Sequence, residues 1–261
     1  MAIKAIDDAI LQGIAEAIQE KDGGGKMHDT EMRGRIENLP SGGGTLISKT
    51  ITQNGVYNAS SDNADGYDVV MIDVPERNTL NECLMGTIKH ISSEFAGTFK
   101  LKCTDFQNLE TVYLPNIKGM SVDYSGLYFF SNCPNLKQVN ISGVTSINNF
   151  TFHNDIALEE VIMPNVTSIG VDAFYNCRAL SITKLPNGVN SIGTSAFGQC
   201  SGIVYLDFSD FDHIPTLGAD TFVNTTFPFY FRDQQQIDEW AAATNWSVYA
   251  DRFQIKPSEV I

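Results

Sequence analysis

The second half of the chain repeats itself about every 22 residues, and no other property restricts its fold as much. Leu136, Leu158, Leu180 and Ile203 form one column at a nearly constant interval. Three positions on stand Val139, Val161, Thr183 and Leu206; five on stand Ile141, Met163, Leu185 and Phe208. An isoleucine column runs through Ile147, Ile169, Ile192 and Ile214, and a phenylalanine column through Phe130, Phe152, Phe174, Phe197 and Phe222. A unit of this length cannot enclose a core alone, so each coil must bury its apolar side against the next, as in a solenoid. The expected fold is mainly β with short helices: a repeat solenoid preceded by a small helical segment and a small β module.

Side chains alternate along the short strand of each coil, so two rows face away from the core. One is Thr111, Gln138, Glu160, Ile182 and Tyr205; the other is Tyr113, Asn140, Ile162, Lys184 and Asp207. Their mixture of aromatic, amide and charged groups suits contact with a protein or a glycan. A second candidate surface is the inserted loop 121–129, with Asp123, Tyr124 and Tyr128, because loops on rigid coils often carry recognition. Pro115, Pro164 and Pro186 end the strands of three coils, and Gly170 and Gly193 are read as tight-turn residues.

Outside the clear repeats, residues 1–44 hold two amphipathic helices and a glycine-rich linker. Ile3, Ile6, Ile10, Ile14 and Ile18 mark the first helix; Met32, Ile36 and Leu39 mark the second. Residues 45–75 read as a small β module, with strand-like runs at 46–52 and 67–74. Residues 76–105 form a linker and opening cap, 106–228 the repeats, and 229–261 a closing cap. Within that cap the sequence predicts an edge strand over 227–231, a helix over 233–243, and a lid of Trp240, Trp246, Tyr249 and Phe253.

Composition narrows the function. The formal net charge of −14, without a basic cluster, argues against nucleic acid or anionic lipid as partner. No segment approaches the roughly 20 apolar residues of a membrane helix, so no membrane insertion is expected. The first 20 residues are interrupted by Asp7, Asp8 and Glu16, unlike a signal peptide, so a chain made in the cytoplasm without conventional export is expected. Cys133, Cys177 and Cys200 share one repeat position, which Asp155 takes in the coil between, and read as buried packing sites. Cys177 and Cys200 stand one coil apart, so a bond between them is geometrically conceivable, though a reducing compartment disfavours it. His28, His90, His153 and His213 are scattered, and no tight Cys pair stands near them, so no zinc site is expected. The run Asp62 to Gly66 lacks the ligand spacing and closing Glu of a calcium loop. No phosphate-binding loop, dinucleotide fingerprint or nucleophile elbow occurs, so the expectation is a non-enzymatic chain without cofactor, metal or catalytic residues. The Asn-x-Ser/Thr triplets are read as turn chemistry.

The phrases VIMPNVTSIGVDAFYNCRAL and LPNGVNSIGTSAFGQCSGI resemble the BspA-like leucine-rich repeat family, over about residues 105–225. That resemblance implies a leucine-rich-repeat solenoid whose strands stack into a curved, mostly parallel sheet. The coil at 140–158 departs from it, with Asn149-Phe150-Thr151-Phe152 at the Ala-Phe step. Residues 1–75, with IDDAILQGIAEAIQEKDGGGKMHDTEMRGRIENL and ITQNGVYNAS followed by GYDVVMIDVP, resemble N-terminal modules of tail-associated structural proteins in phages and prophages of Gram-positive bacteria. Together the two imply a virion protein, tail-, baseplate- or fibre-associated. Residues 1–75 would dock onto other virion proteins while the repeats display a surface for a host protein or glycan. Several copies per particle, for instance a trimer, fit such a part. The alternatives are a BspA-type bacterial surface adhesin, located at the cell surface, and a head fibre decorating the capsid.

Overall fold

The computed structural model describes residues 48–51, 55–57, 69–72, 78–80, 89–92, 96–99, 104–120 and 129–258. The expected N-terminal helices, the 62–66 turn and the loop residues Asp123, Tyr124 and Tyr128 lie outside these residues. Six short strands stack in parallel in the order Ser48–Ile51, Val69–Ile72, His90–Ser92, Thr111–Tyr113, Gln138–Asn140 and Glu160–Ile162. Their register runs Ser48, Val69, His90, Thr111, Gln138, Glu160. The first three steps are equal in length and close to the period of the later repeats, and the next is lengthened by the inserted loop. The strands assigned by sequence to a separate β module and a cap therefore extend the same sheet as the repeats. They carry the coil spacing without the Leu and Phe columns that made the later coils recognisable.

Four further parallel stacks are present among the described residues, two of them strand pairs, Gly55–Tyr57 with Asn78–Leu80 and Thr98–Phe99 with Gly119–Met120, and two larger. Ser146–Ile147, Ser168–Ile169, Ser191–Ile192 and Thr216–Leu217 form one, and Leu206–Asp207, Phe229–Phe231 and Phe253–Ile255 the other. Coil follows coil because each short strand meets only its predecessor and successor, which is the physical content of the repeat. The Leu, Val and Ile columns line the interior: Leu136, Leu158, Leu180 and Ile203 are all buried, as are Val139, Val161 and Leu206. The phenylalanine column is a continuous stack. Ring centroids from Phe130 through Phe152, Phe174 and Phe197 to Phe222 are separated by 5.8, 5.2, 5.2 and 5.8 Å, with interplanar angles of 19° or less.

Backbone hydrogen bonds hold that corner without forming regular strands. Phe152 N–H donates to Ala173 O, and Phe174 N–H to Ala196 O, both at 2.8 Å. From Phe152 onward the chain turns sharply there through left-handed residues two places before and after each ring, such as Asp172 (φ 51°) and Asn176 (φ 63°). Asparagine and aspartate tolerate that region, which explains their recurrence. Asn176 Nδ2 donates to Asn154 Oδ1 (2.8 Å), and Asn154 Nδ2 to Asn132 Oδ1 (3.0 Å), an amide ladder beside the rings. Gly170 and Gly193 stand where the turn begins, Gly193 O accepting the Ala196 N–H at 3.2 Å, and a second constraint also acts on them. A Cβ on Gly193 would sit 2.5 Å from the Gly170 carbonyl carbon, so close backbone approach between coils excludes any side chain there.

Two columns differ from the sequence reading. The isoleucine column continues through Leu217, which pairs with Ile192, and not through Ile214, which is only half-buried. The coil is longer by the segment Phe211 to His213, whose Phe211 ring packs edge-on against Phe208 at 5.1 Å. Thr183 is half-buried, and residues 181–186 form no regular strand. Backbone contacts still place that coil, with Ser181 N–H donating to Glu159 O and Asp207 N–H to Thr183 O.

A helix is present within the stretch 233–243 where the sequence places one. The helix Gln234–Ala241 starts at Asp233, whose side chain accepts from Gln236 N–H. Trp240 and Trp246 are buried with ring centroids 4.5 Å apart, and Trp246 Nε1–H donates to Pro215 O at 2.7 Å. Phe229–Phe231 is not an edge: Phe253–Ile255 pairs on its far side. Among the described residues, no helix is long and apolar enough to cross a membrane.

Candidate functional site

The outward rows of the main sheet divide into a covered half and an open half. His90, Thr111 and Gln138 are register neighbours on one row, and all three are buried. His90 Nδ1 and Thr111 Oγ1 share a hydrogen bond of 2.7 Å. Thr111 and Gln138 are therefore corrected from surface to covered positions. Tyr113 and Asn140 are half-buried, and Asn140 Oδ1 accepts from the Ser142 N–H (3.1 Å) and hydroxyl (2.5 Å). From the next coil onward the face opens. Glu160 is exposed, Ile162 is 42% exposed, Ile182 is half-buried and Lys184 is exposed.

At the C-terminal end the face carries an aromatic pair and an ion network. Tyr205 and Tyr230 are half-buried, their rings 5.1 Å apart and tilted by 34°. Asp207, the register partner of Tyr230, is buried rather than displayed. Its Oδ1 accepts the Ser209 N–H at 2.9 Å. Lys256 Nζ stands 2.9 Å and Lys184 Nζ 3.4 Å from Oδ2. These are ion pairs whose alignment leaves Oδ2 without a directed hydrogen bond. Burial pushes the Asp207 carboxyl up, but the Ser209 hydrogen bonds and the two ammonium groups outweigh it and hold Asp207 below the ordinary carboxylate range. Lys184 also binds Asp210 (2.9 Å), which raises its ammonium above the usual value.

Beside this network an open hollow is lined by Ser209, Asp210, Arg232, Lys256, Pro257 and Ser258. Arg232 spans it, Nη1 donating to Ser209 O at 3.2 Å and Nε lying 3.3 Å from Asp233 Oδ2. The three cations Lys184, Lys256 and Arg232 each face carboxylates, so the surface is polar with its charges balanced. Sequence reasoning missed Tyr230, Arg232 and Lys256. The signal was present, because Leu206, Phe229 and Phe253 are register neighbours at nearly the interval of the visible repeat, and so continue the coil period beyond it. Among the described residues, no group of three His, Cys, Asp or Glu side chains is placed to hold a metal ion.

Parallel rungs recurring at about 22 residues, with aligned Leu and Phe columns, define a leucine-rich repeat β-solenoid. Residues 123–237 match the family model of the BspA type leucine-rich repeat region in six copies, so this part of the chain is similar to that repeat family. Two solved structures are similar. A leucine-rich repeat protein from Bacteroides ovatus ATCC 8483 is 17% identical with a TM-score of 0.47, over 81% of this chain and 54% of that one. A leucine rich cell surface protein from Faecalibacterium prausnitzii A2-165 is 17% identical with a TM-score of 0.32, over 71% of this chain and 64% of that one. The chain thus spans less than two thirds of either structure's length. No curated protein matches the chain.

Proposed function

We propose that this chain is a non-enzymatic display scaffold. It binds a macromolecular ligand at a cell surface, through the open half of the sheet face from Glu160 and Ile162 to Tyr205 and Tyr230. The observation that carries this reading is the asymmetry of that face: the rows are covered at Thr111 and Gln138, exposed at Glu160, Ile162 and Lys184, and half-buried at Ile182 and Tyr205, with only Asp207 of the later positions buried. A rigid solenoid positions such a surface without rearrangement, which lowers the entropic cost of binding. Half-buried tyrosines are suited to contact because they offer a large, stiff apolar area with a polar tip. The BspA-type repeats support placement at a bacterial surface.

The test uses the full chain immobilised on beads and challenged with intact bacterial and host cells. Wild type should retain one class of cell. Ile162→Glu combined with Tyr230→Ala should abolish retention while the thermal transition stays in place. Retention unchanged by those substitutions, or retention of neither class of cell by wild type, would overturn the assignment.

A second reading has its own motivation in the phage-like motifs of residues 1–75. Here the scaffold is virion-borne, docked by its N-terminal segment to other virion proteins and present in several copies. Purified particles should then contain the chain, and deletion of residues 1–44 should remove it from them. Its presence in the bacterial envelope instead, with none in particles, refutes this version.

A further inference from the structure

The cysteine column is interrupted once, and the interruption is chemically distinct. Cys133, Cys177 and Cys200 are buried, and Asp155 occupies the same position in the coil between the first two, with no exposed surface. Two of the thiols act as donors: Cys177 Sγ lies 2.9 Å from Phe152 O, and Cys200 Sγ 3.0 Å from Phe174 O. Asp155 Oδ1 instead accepts the Cys133 backbone N–H at 2.7 Å. Its Oδ2 is buried and meets no partner. An ionised carboxylate here would keep a charge in an apolar interior on one hydrogen bond, without a counter-ion. A neutral acid removes the charge and turns one oxygen into a hydroxyl donor, the role its neighbours' thiols perform. From the adjoining coils Asp155 meets the Cys133 backbone N–H on one side and the titratable Cys177 thiol on the other, and among the described residues it makes no ion pair.

We propose that Asp155 stands as a neutral carboxylic acid in the folded solenoid and makes its coil the pH-sensitive joint of the stack. Acidic conditions keep that joint closed, and rising pH loosens it. Burial pushes the Asp155 carboxyl well above the ordinary range, with the Cys133 N–H pulling only part of the way back. A folded-state value above the unfolded one gives stabilisation that is complete below about pH 4 and is lost as pH rises through the folded-state value. Across that window the folding constant falls by up to roughly tenfold per pH unit. Because Phe152 of this coil stacks between Phe130 and Phe174, opening here divides the ring stack in two.

Denaturant midpoints of the full chain, of Asp155→Cys and of Asp155→Asn, measured from about pH 5 to about pH 8, isolate the effect because every other native titrating group is shared and the added thiol, with an ordinary value of about 8.5, stays mostly protonated over that range. The advantage of Asp155→Cys over wild type should widen with pH, approaching tenfold in folding constant per unit. A gap that stays constant across the range overturns the proposal. Carbon-13 NMR of aspartate-labelled wild type gives an independent readout should either variant fail to fold. One carboxyl carbon should keep the shift of a neutral acid near pH 7, and a spectrum in which every aspartate is ionised there contradicts the assignment.

Discussion

Replacing Phe174 by alanine removes the middle ring of the phenylalanine stack. The side chain has no exposed surface and lies between Phe152 and Phe197, each 5.2 Å away, at interplanar angles of 19° and 6°. Deleting a buried phenylalanine costs about 3–5 kcal/mol, the spread reflecting how far the surroundings collapse. Collapse is restricted here, because Phe174 N–H and the backbone on either side are fixed by hydrogen bonds to the next coil. The loss should therefore lie near the upper end, about 5 kcal/mol, comparable with the whole stability of many domains. Phe174→Leu separates the components. It keeps most of the buried apolar volume and forfeits two ring contacts at roughly 0.5–1.5 kcal/mol each, so it should cost about 1–3 kcal/mol. Guanidinium titration followed by circular dichroism measures both. A lower slope in either variant would show the array splitting into independently melting halves, which a one-dimensional stack permits. A loss below about 1 kcal/mol for Phe174→Ala would refute the reasoning, since no buried, doubly stacked ring can be that cheap.

Two further substitutions test separate features. Phe150 holds a left-handed conformation (φ 57°) where neighbouring coils place Asp172, Ser195 and Asp220. Phe150→Asp should stabilise the fold by up to about 1 kcal/mol in thermal melts, and a clear destabilisation would show that its contact with His153 outweighs the backbone strain. Asp207 behaves oppositely to Asp155. Its folded-state value is depressed, so the stability it contributes is present above the ordinary carboxylate value and lost as pH falls through the depressed one. Asp207→Asn should accordingly flatten the acid limb of the melting profile below about pH 4, and unchanged acid sensitivity would contradict the ion network with Lys184 and Lys256.

The interior was legible in the sequence because burial demands the same side-chain type at the same step in every coil. Leu136, Leu158 and Leu180, or Phe152, Phe174 and Phe197, could take no other place. The N-terminal strands were recognised individually at 46–52 and 67–74, but not as rungs. Their even spacing is carried by backbone pairing, which any β-forming run can satisfy. Ile214 misled because it keeps the numerical period, whereas the lengthened coil hands its inward position to Leu217. The outward rows were legible only as alternation. Strand geometry fixes that Thr111, Gln138 and Asp207 point off the core, but whether water or protein lies beyond them depends on segments distant in sequence. For that reason Asp207 emerges as the centre of an ion network and not as a displayed carboxylate.

Contacts between protons one coil apart in sequence test the stacked architecture most directly. In nuclear Overhauser spectra of the full chain, Val139 should show contacts to both Val112 and Val161, and Ile169 to both Ile147 and Ile192. Phe229 should touch Leu206 and Phe253 in the same parallel sense. Cross-strand contacts between neighbours that run antiparallel, or the absence of any coil-to-coil contact at this separation, would contradict the fold and everything built on it.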